Sequence, residues 1–64
     1  MEELYRKSRE ILKRYPDMEI DVYDVFADLD VQLNDGGNLY EEIDKAIESL
    51  ENAEAEYVKR NFTR

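Results

Sequence analysis

Residues 27–34, Ala27-Asp28-Leu29-Asp30-Val31-Gln32-Leu33-Asn34, alternate apolar and polar side chains without a break. Strict alternation is the mark of a half-buried strand. Yet Val22, Val25, Phe26, Leu29 and Leu33 recur at intervals of three and four, with Asp21 placed as an N-cap and Asp24 in a first turn. That spacing is the mark of a helix. The fold turns on which period wins. As strands, Met18–Tyr23 and Ala27–Leu33 would form a β-hairpin across residues 18–33, packed by two helices in an α+β domain. Five Asp between residues 17 and 30 argue against that hairpin, because Asp is a poor strand former. A helix carried through residue 31 would aim Val31 into water. The sequence therefore predicts a short helix, Asp21 to about Leu29, closed by Asp30 in a left-handed cap. Val31 and Leu33 would then tuck under an irregular loop, Asp30–Asn38, whose Asn34-Asp35-Gly36-Gly37 is strong turn chemistry.

The flanking segments read more simply. Leu4, Ser8, Ile11 and Tyr15 form one stripe of a helix over about residues 2–15, with Met1, Tyr5 and Leu12 beside it. Glu2–Arg6, Glu3–Lys7 and Glu10–Arg14 are spaced for i,i+4 ion pairs, each contributing ~0.2–0.5 kcal/mol. Acids start this helix and bases end it, as its dipole favours. Pro16 then stops it and pushes Tyr15 out of helical geometry. Asn38 and Glu41 have the spacing of a capping box for a last helix over about residues 39–60. Its seam is Ile43, Ala46, Ile47, Leu50, Ala53 and Tyr57, edged by Leu39, Tyr40 and Val58, with Asn61–Arg64 frayed beyond it. Glu54 lies within that apolar stripe. It is read first as a residue near a helix end reaching a Tyr hydroxyl, Arg14 or another first-helix cation, and second as a partner-specificity element. The expectation is an all-α, three-helix chain forming a single domain over residues 1–64.

Composition narrows function by exclusion. The 64 residues carry a formal charge of -8, with 42% hydrophobic and 41% charged side chains and no Cys, His or Trp. A chain this short buries only ~60% of the surface its unfolded form exposes. An isolated stability of about 3–5 kcal/mol is expected, which a partner or self-association would raise. Without Cys or His there is no disulfide, no thiolate cage, no thiol nucleophile and no imidazole base or ligand. No apolar run could span a membrane and no signal-peptide core follows Met1, so a cytoplasmic location is expected.

Carboxylates are the only abundant reactive groups. A calcium loop starting at Asp30 would place Gln32, Asn34 and Glu41 at ligand positions, but Asp35 stands where the tight turn needs Gly and Gly37 where an apolar residue belongs. A magnesium-dependent phosphoryl chemistry on Asp28, Asp30, Glu41 or Asp44 lacks a cationic or Gly-rich phosphate cradle, since no Lys follows Gly36-Gly37. A carboxylate-pair glycosidase needs a cleft that so small a chain can hardly build. The expectation is no enzyme, no metal and no cofactor. Of the seven Tyr and Phe, Phe26 belongs to the apolar spacing of the middle segment and Tyr5, Tyr15, Tyr40 and Tyr57 fall on or beside core stripes, which leaves Tyr23 and Phe62 as the exposed aromatic contacts.

Charge is unevenly spread. Residues 1–16 sum to +2, residues 17–56 to -13 with Lys45 as their single base, and residues 57–64 to +3. Such a block repels a nucleic-acid backbone, so no direct nucleic-acid binding is expected. Asp21, Asp24, Asp28 and Gln32 line one flank of the middle segment, and Glu41, Asp44, Glu48 and Glu51 a face of the last helix. Carboxylates three or four residues apart are separated by about 5–6 Å along a helix, near the phosphate spacing of a nucleic-acid strand. In composition, though in no motif, the chain is similar in style to small phage-encoded inhibitors of host defence enzymes.

Two functions follow. One is a non-catalytic inhibitor or decoy that docks its residue 17–56 surface into a basic groove of a larger, nucleic-acid-binding protein. Its contacts would be Asp21, Asp24, Asp28, Asp44, Glu48 and Glu51, with Tyr23 as an anchor. The other is a homo-oligomer or adaptor sharing Ile43, Ile47, Leu50 and Tyr57 of the last helix.

Overall fold

The computed structural model describes residues 2–62. Helix α1 spans Glu2–Arg14, a 3-10 turn covers Pro16–Met18, α2 spans Glu19–Asn34 and α3 spans Leu39–Phe62. Among the described residues there is no strand, so the protein is an all-α three-helix domain. At 1.5 Å per residue α3 is about 36 Å long. It sets the long dimension of a molecule measuring 41 × 20 × 16 Å, with α1 and α2 packed along it. Asn61 and Phe62, expected to fray, complete α3. The flanking place expected for Met1 and the fraying of Thr63 and Arg64 lie outside the described residues.

Leu4, Ile11, Met18 and Leu50 are fully buried, and Val22, Leu29 and Ala46 complete the core around them. Leu12, Tyr15, Val25, Phe26, Leu33, Ile47, Ala53 and Tyr57 pack at its edge. Ser8 sits on the buried stripe of α1, and its hydroxyl donates to the Leu4 carbonyl at 2.8 Å. That bond satisfies a polar group which would otherwise be stranded in the core. Tyr15 leaves helical geometry ahead of Pro16, at φ -134° and ψ 79°. The 3-10 turn then leads directly into α2. Met18 is the N-cap residue and Asp21 lies in the first turn, so Asp21 does not cap this helix.

The alternating stretch is helical throughout. α2 continues five residues past Leu29, and Asp30 is an ordinary helical residue, because among the described residues no non-glycine residue has positive φ. The left-handed cap is Gly36 at φ 94°. The Gly36 amide donates to the Leu33 carbonyl at 3.2 Å and the Gly37 amide to the Gln32 carbonyl at 2.9 Å, the paired bonds of a Schellman motif. Glycine takes this backbone conformation without the Cβ penalty that Asp30 would incur. Carrying the helix to Asn34 does leave Val31 58% exposed. One exposed Val costs little, whereas stopping at Leu29 would forfeit a full turn of backbone hydrogen bonds. The loop shrinks to residues 35–38, and a Cβ on Gly37 would stand 2.8 Å from the Gln32 carbonyl oxygen. Asn38 then starts α3, its side-chain oxygen accepting from the Glu41 amide at 3.2 Å.

Candidate functional site

The bases of α1 reach across to α3 more than along their own helix. Lys7 pairs with Glu51 and Arg14 with Glu54, each at 3.4 Å. Along α1 the contact is Arg6 with Glu3 at 3.9 Å, three residues apart. Among the described residues none of the expected Glu2–Arg6, Glu3–Lys7 and Glu10–Arg14 pairs forms: Arg6 takes Glu3 instead, and Lys7 and Arg14 take carboxylates that the packing of α3 brings within reach. Glu54 on the α3 stripe is thereby explained: it turns to Arg14 at the edge of the core. Part of the segregated charge is compensated inside the fold.

The remaining acids are not. α2 carries Glu19, Asp21, Asp24, Asp28 and Asp30 and no base, and among the described residues none of these five has an ion pair. Its last turn also lacks the basic residue that would suit the helix dipole. Asp24 and Asp28 are exposed and Asp21 half-buried. On α3, Asp44, Glu48 and Glu51 are exposed. Asp28 and Glu48 line one open groove between α2 and α3, together with Lys45, Ser49 and Asn52. Glu51 is turned to α1 by Lys7. At 100° per residue Asp44 lies about 40° round α3 from Glu48, toward Glu51. The two acidic rows thus meet at Asp28 and Glu48. Among the described residues no three carboxylates come together as a metal site, and Asp30, Gln32 and Asn34 are helical rather than wrapped in a loop.

Glu42 is a buried acid that sequence periodicity places off the α3 seam. Only 7% exposed, it accepts from the Lys45 ammonium at 3.4 Å and packs under Gly37. The pairing consumes the single base of the acidic block, so Lys45 screens an internal carboxylate as well as the groove.

The aromatic residues divide differently from expectation. Tyr23 is 72% exposed, as its edge position predicts. Tyr40, expected beside the core, is 77% exposed, since the core rotates around α3 toward Glu42 and Ala46. Tyr5 stacks on Phe26 with ring centroids 5.6 Å apart. Phe62 is largely exposed, and its ring tilts against Tyr15 at 6.2 Å. Tyr57 meets Tyr15 at 5.1 Å and donates to Asp17 Oδ2 at 3.3 Å. Burial, then the Asp17 charge and hydrogen bond, then Tyr15 push the Tyr57 phenol above its ordinary 10.0.

Ile20 has no place in the sequence-derived stripes, and Val31, expected under the loop, is instead on the surface: the two are 74% and 58% exposed. Once α2 runs to Asn34, a helical wheel places Ile20, Ala27 and Val31 within about 40° of one another, opposite Val22 and Leu29. Of the α3 seam, Leu50 is fully buried, Ile47 and Tyr57 pack on the protein's own core, and Ile43 is half-buried. No protein-family model, curated protein or solved structure matches this chain, so its function is argued from these surfaces.

Proposed function

We propose that this protein is a non-catalytic acidic binding module that docks α2 and the adjoining groove against a basic surface of a larger protein. A groove built to hold nucleic-acid phosphates is one surface of that kind, and an inhibitor or decoy is the corresponding role. The observation that supports this reading is the five carboxylates of α2, none ion-paired among the described residues, next to a fold whose other helices share charge across α1 and α3. Uncompensated like charge on one helix costs stability. A cationic partner would recover that cost and speed association at low salt. Asp24, Asp28 and Glu48 are the leading contacts and Tyr23 the anchor. Glu51 contributes less, since Lys7 already engages it.

The test is a pull-down from lysate at low and at high salt, with the native chain and with an Asp24→Lys, Asp28→Lys, Glu48→Lys variant. A basic partner captured at low salt, released at high salt and absent with the variant is the expected result. Capture that is unchanged by the triple reversal would overturn the proposal.

A further inference from the structure

The outer face of α2 is apolar as well as acidic. Ile20, Tyr23, Ala27 and Val31 are all exposed. Relative to Ile20 they lie at about 0°, 300°, 340° and 20° round the helix, a stripe about 80° wide. Val22, Val25, Phe26, Leu29 and Leu33, which face the core, occupy the opposite half, at about 140–240°. From Ile20 to Val31 the stripe runs about 16 Å, or three turns. Scattered surface apolar residues need no explanation, but an ordered row opposite a complete core face does. Acids border both edges: Asp24 and Asp28 follow the Val31 side, Glu19 and Asp30 the Tyr23 side, all four exposed.

That arrangement selects its occupant. A second copy meeting this one through α2 would bring five carboxylates against five with no base on either helix, and like charges facing across an interface are destabilising. The same acids repel an anionic membrane surface. A helix with an apolar stripe flanked on both sides by Lys or Arg matches both features at once, as complementary flanking charges do in paired helices. We infer that α2 is a docking face for a cationic amphipathic helix of a partner protein, with Ile20, Tyr23 and Val31 as apolar anchors and Asp24, Asp28 and Asp30 as flanking charges. This rests on the acidic-docking reading above and adds a contact face and a partner chemistry to it.

The probe is a synthetic Leu/Lys peptide of about 18 residues, five helical turns, with Leu on one face. A second peptide of the same composition has its Leu spread around all faces. Binding to the full chain is measured by fluorescence anisotropy at low and high salt. An Ile20→Ala, Tyr23→Ala, Val31→Ala variant and an Asp24→Asn, Asp28→Asn, Asp30→Asn variant are measured beside it, each checked for fold by circular dichroism. The expected result is saturable binding of the patterned peptide, weaker binding of the scrambled one, a loss of about tenfold or more in the alanine variant and a reduced salt dependence in the asparagine variant. Equal binding of both peptides, unaffected by the alanine changes, would overturn the docking face while leaving acidic docking intact. If neither peptide bound at low salt, both readings would fall. Self-association of the chain in sedimentation, abolished by the alanine changes, would make the occupant a second copy and refute the inference.

Discussion

Val31→Pro tests the feature that decides this fold. Val31 lies in the last turns of α2, where helical geometry directs its amide to the Ala27 carbonyl, and its own carbonyl accepts from Asp35 at 3.0 Å. Proline removes the first bond, and its ring collides with the Ala27 carbonyl. Inside a helix this costs about 3 kcal/mol or more. The side chain itself contributes little, being 58% exposed, so Val31→Ala should stay within about 0.5 kcal/mol of the native protein. Against a total stability of about 3–5 kcal/mol, the proline variant should be close to half unfolded in buffer or barely stable. The alanine variant should be nearly indistinguishable from the native chain. Urea titrations followed by far-ultraviolet circular dichroism measure both. An irregular loop at residues 30–38 would accept the proline easily, so a loss below about 1 kcal/mol would refute a helix continuous to Asn34.

Two further outcomes follow from the turn and from the Tyr57 contact. Gly37→Ala forces a Cβ to 2.8 Å from the Gln32 carbonyl oxygen and 2.9 Å from Glu42 Cγ, so a loss of about 1–3 kcal/mol is expected in urea. Gly36→Ala meets open space, and its loss of about 1–2 kcal/mol comes from the left-handed backbone alone; Asn should therefore rescue residue 36 better than residue 37. Because the fold raises the Tyr57 phenol above 10.0, its stabilising effect is complete below that pH and disappears as pH rises through the raised value. Ultraviolet titration should show one tyrosine ionising late, and Tyr57→Phe should remove that late step and flatten the alkaline fall in melting temperature. A late step persisting in the phenylalanine variant would assign it to another tyrosine.

The α1 stripe through Leu4, Ser8 and Ile11, the break at Pro16, the Asn38 cap and the α3 seam are local patterns of period and cap chemistry, and they are legible residue by residue. Met18 was not: it sits in a connector with no periodic neighbours, and it is buried because the 3-10 turn folds it between helices. The end of α2 is less legible: the exposure of one Val argues for an early stop, but a turn of backbone hydrogen bonds and the glycine cap at Gly36 outweigh it. The extent of α2 also sets the candidate surface, since Ile20, Tyr23 and Val31 share a face only if the helix continues.

Sequence alone determined the helical class, the -13 block between basic ends and the absence of thiol and imidazole chemistry, because composition and periodicity are properties of neighbouring residues. Tertiary structure decided which charges meet. Lys7 and Arg14 lie 44 and 40 positions from Glu51 and Glu54, and only the packing of α1 on α3 brings them to 3.4 Å. That packing pairs two α1 bases with α3 acids and leaves α2 acidic, apolar on its outer face and with none of its five carboxylates ion-paired among the described residues. Charge is written in the chain; where it goes uncompensated depends on distances that only the fold sets.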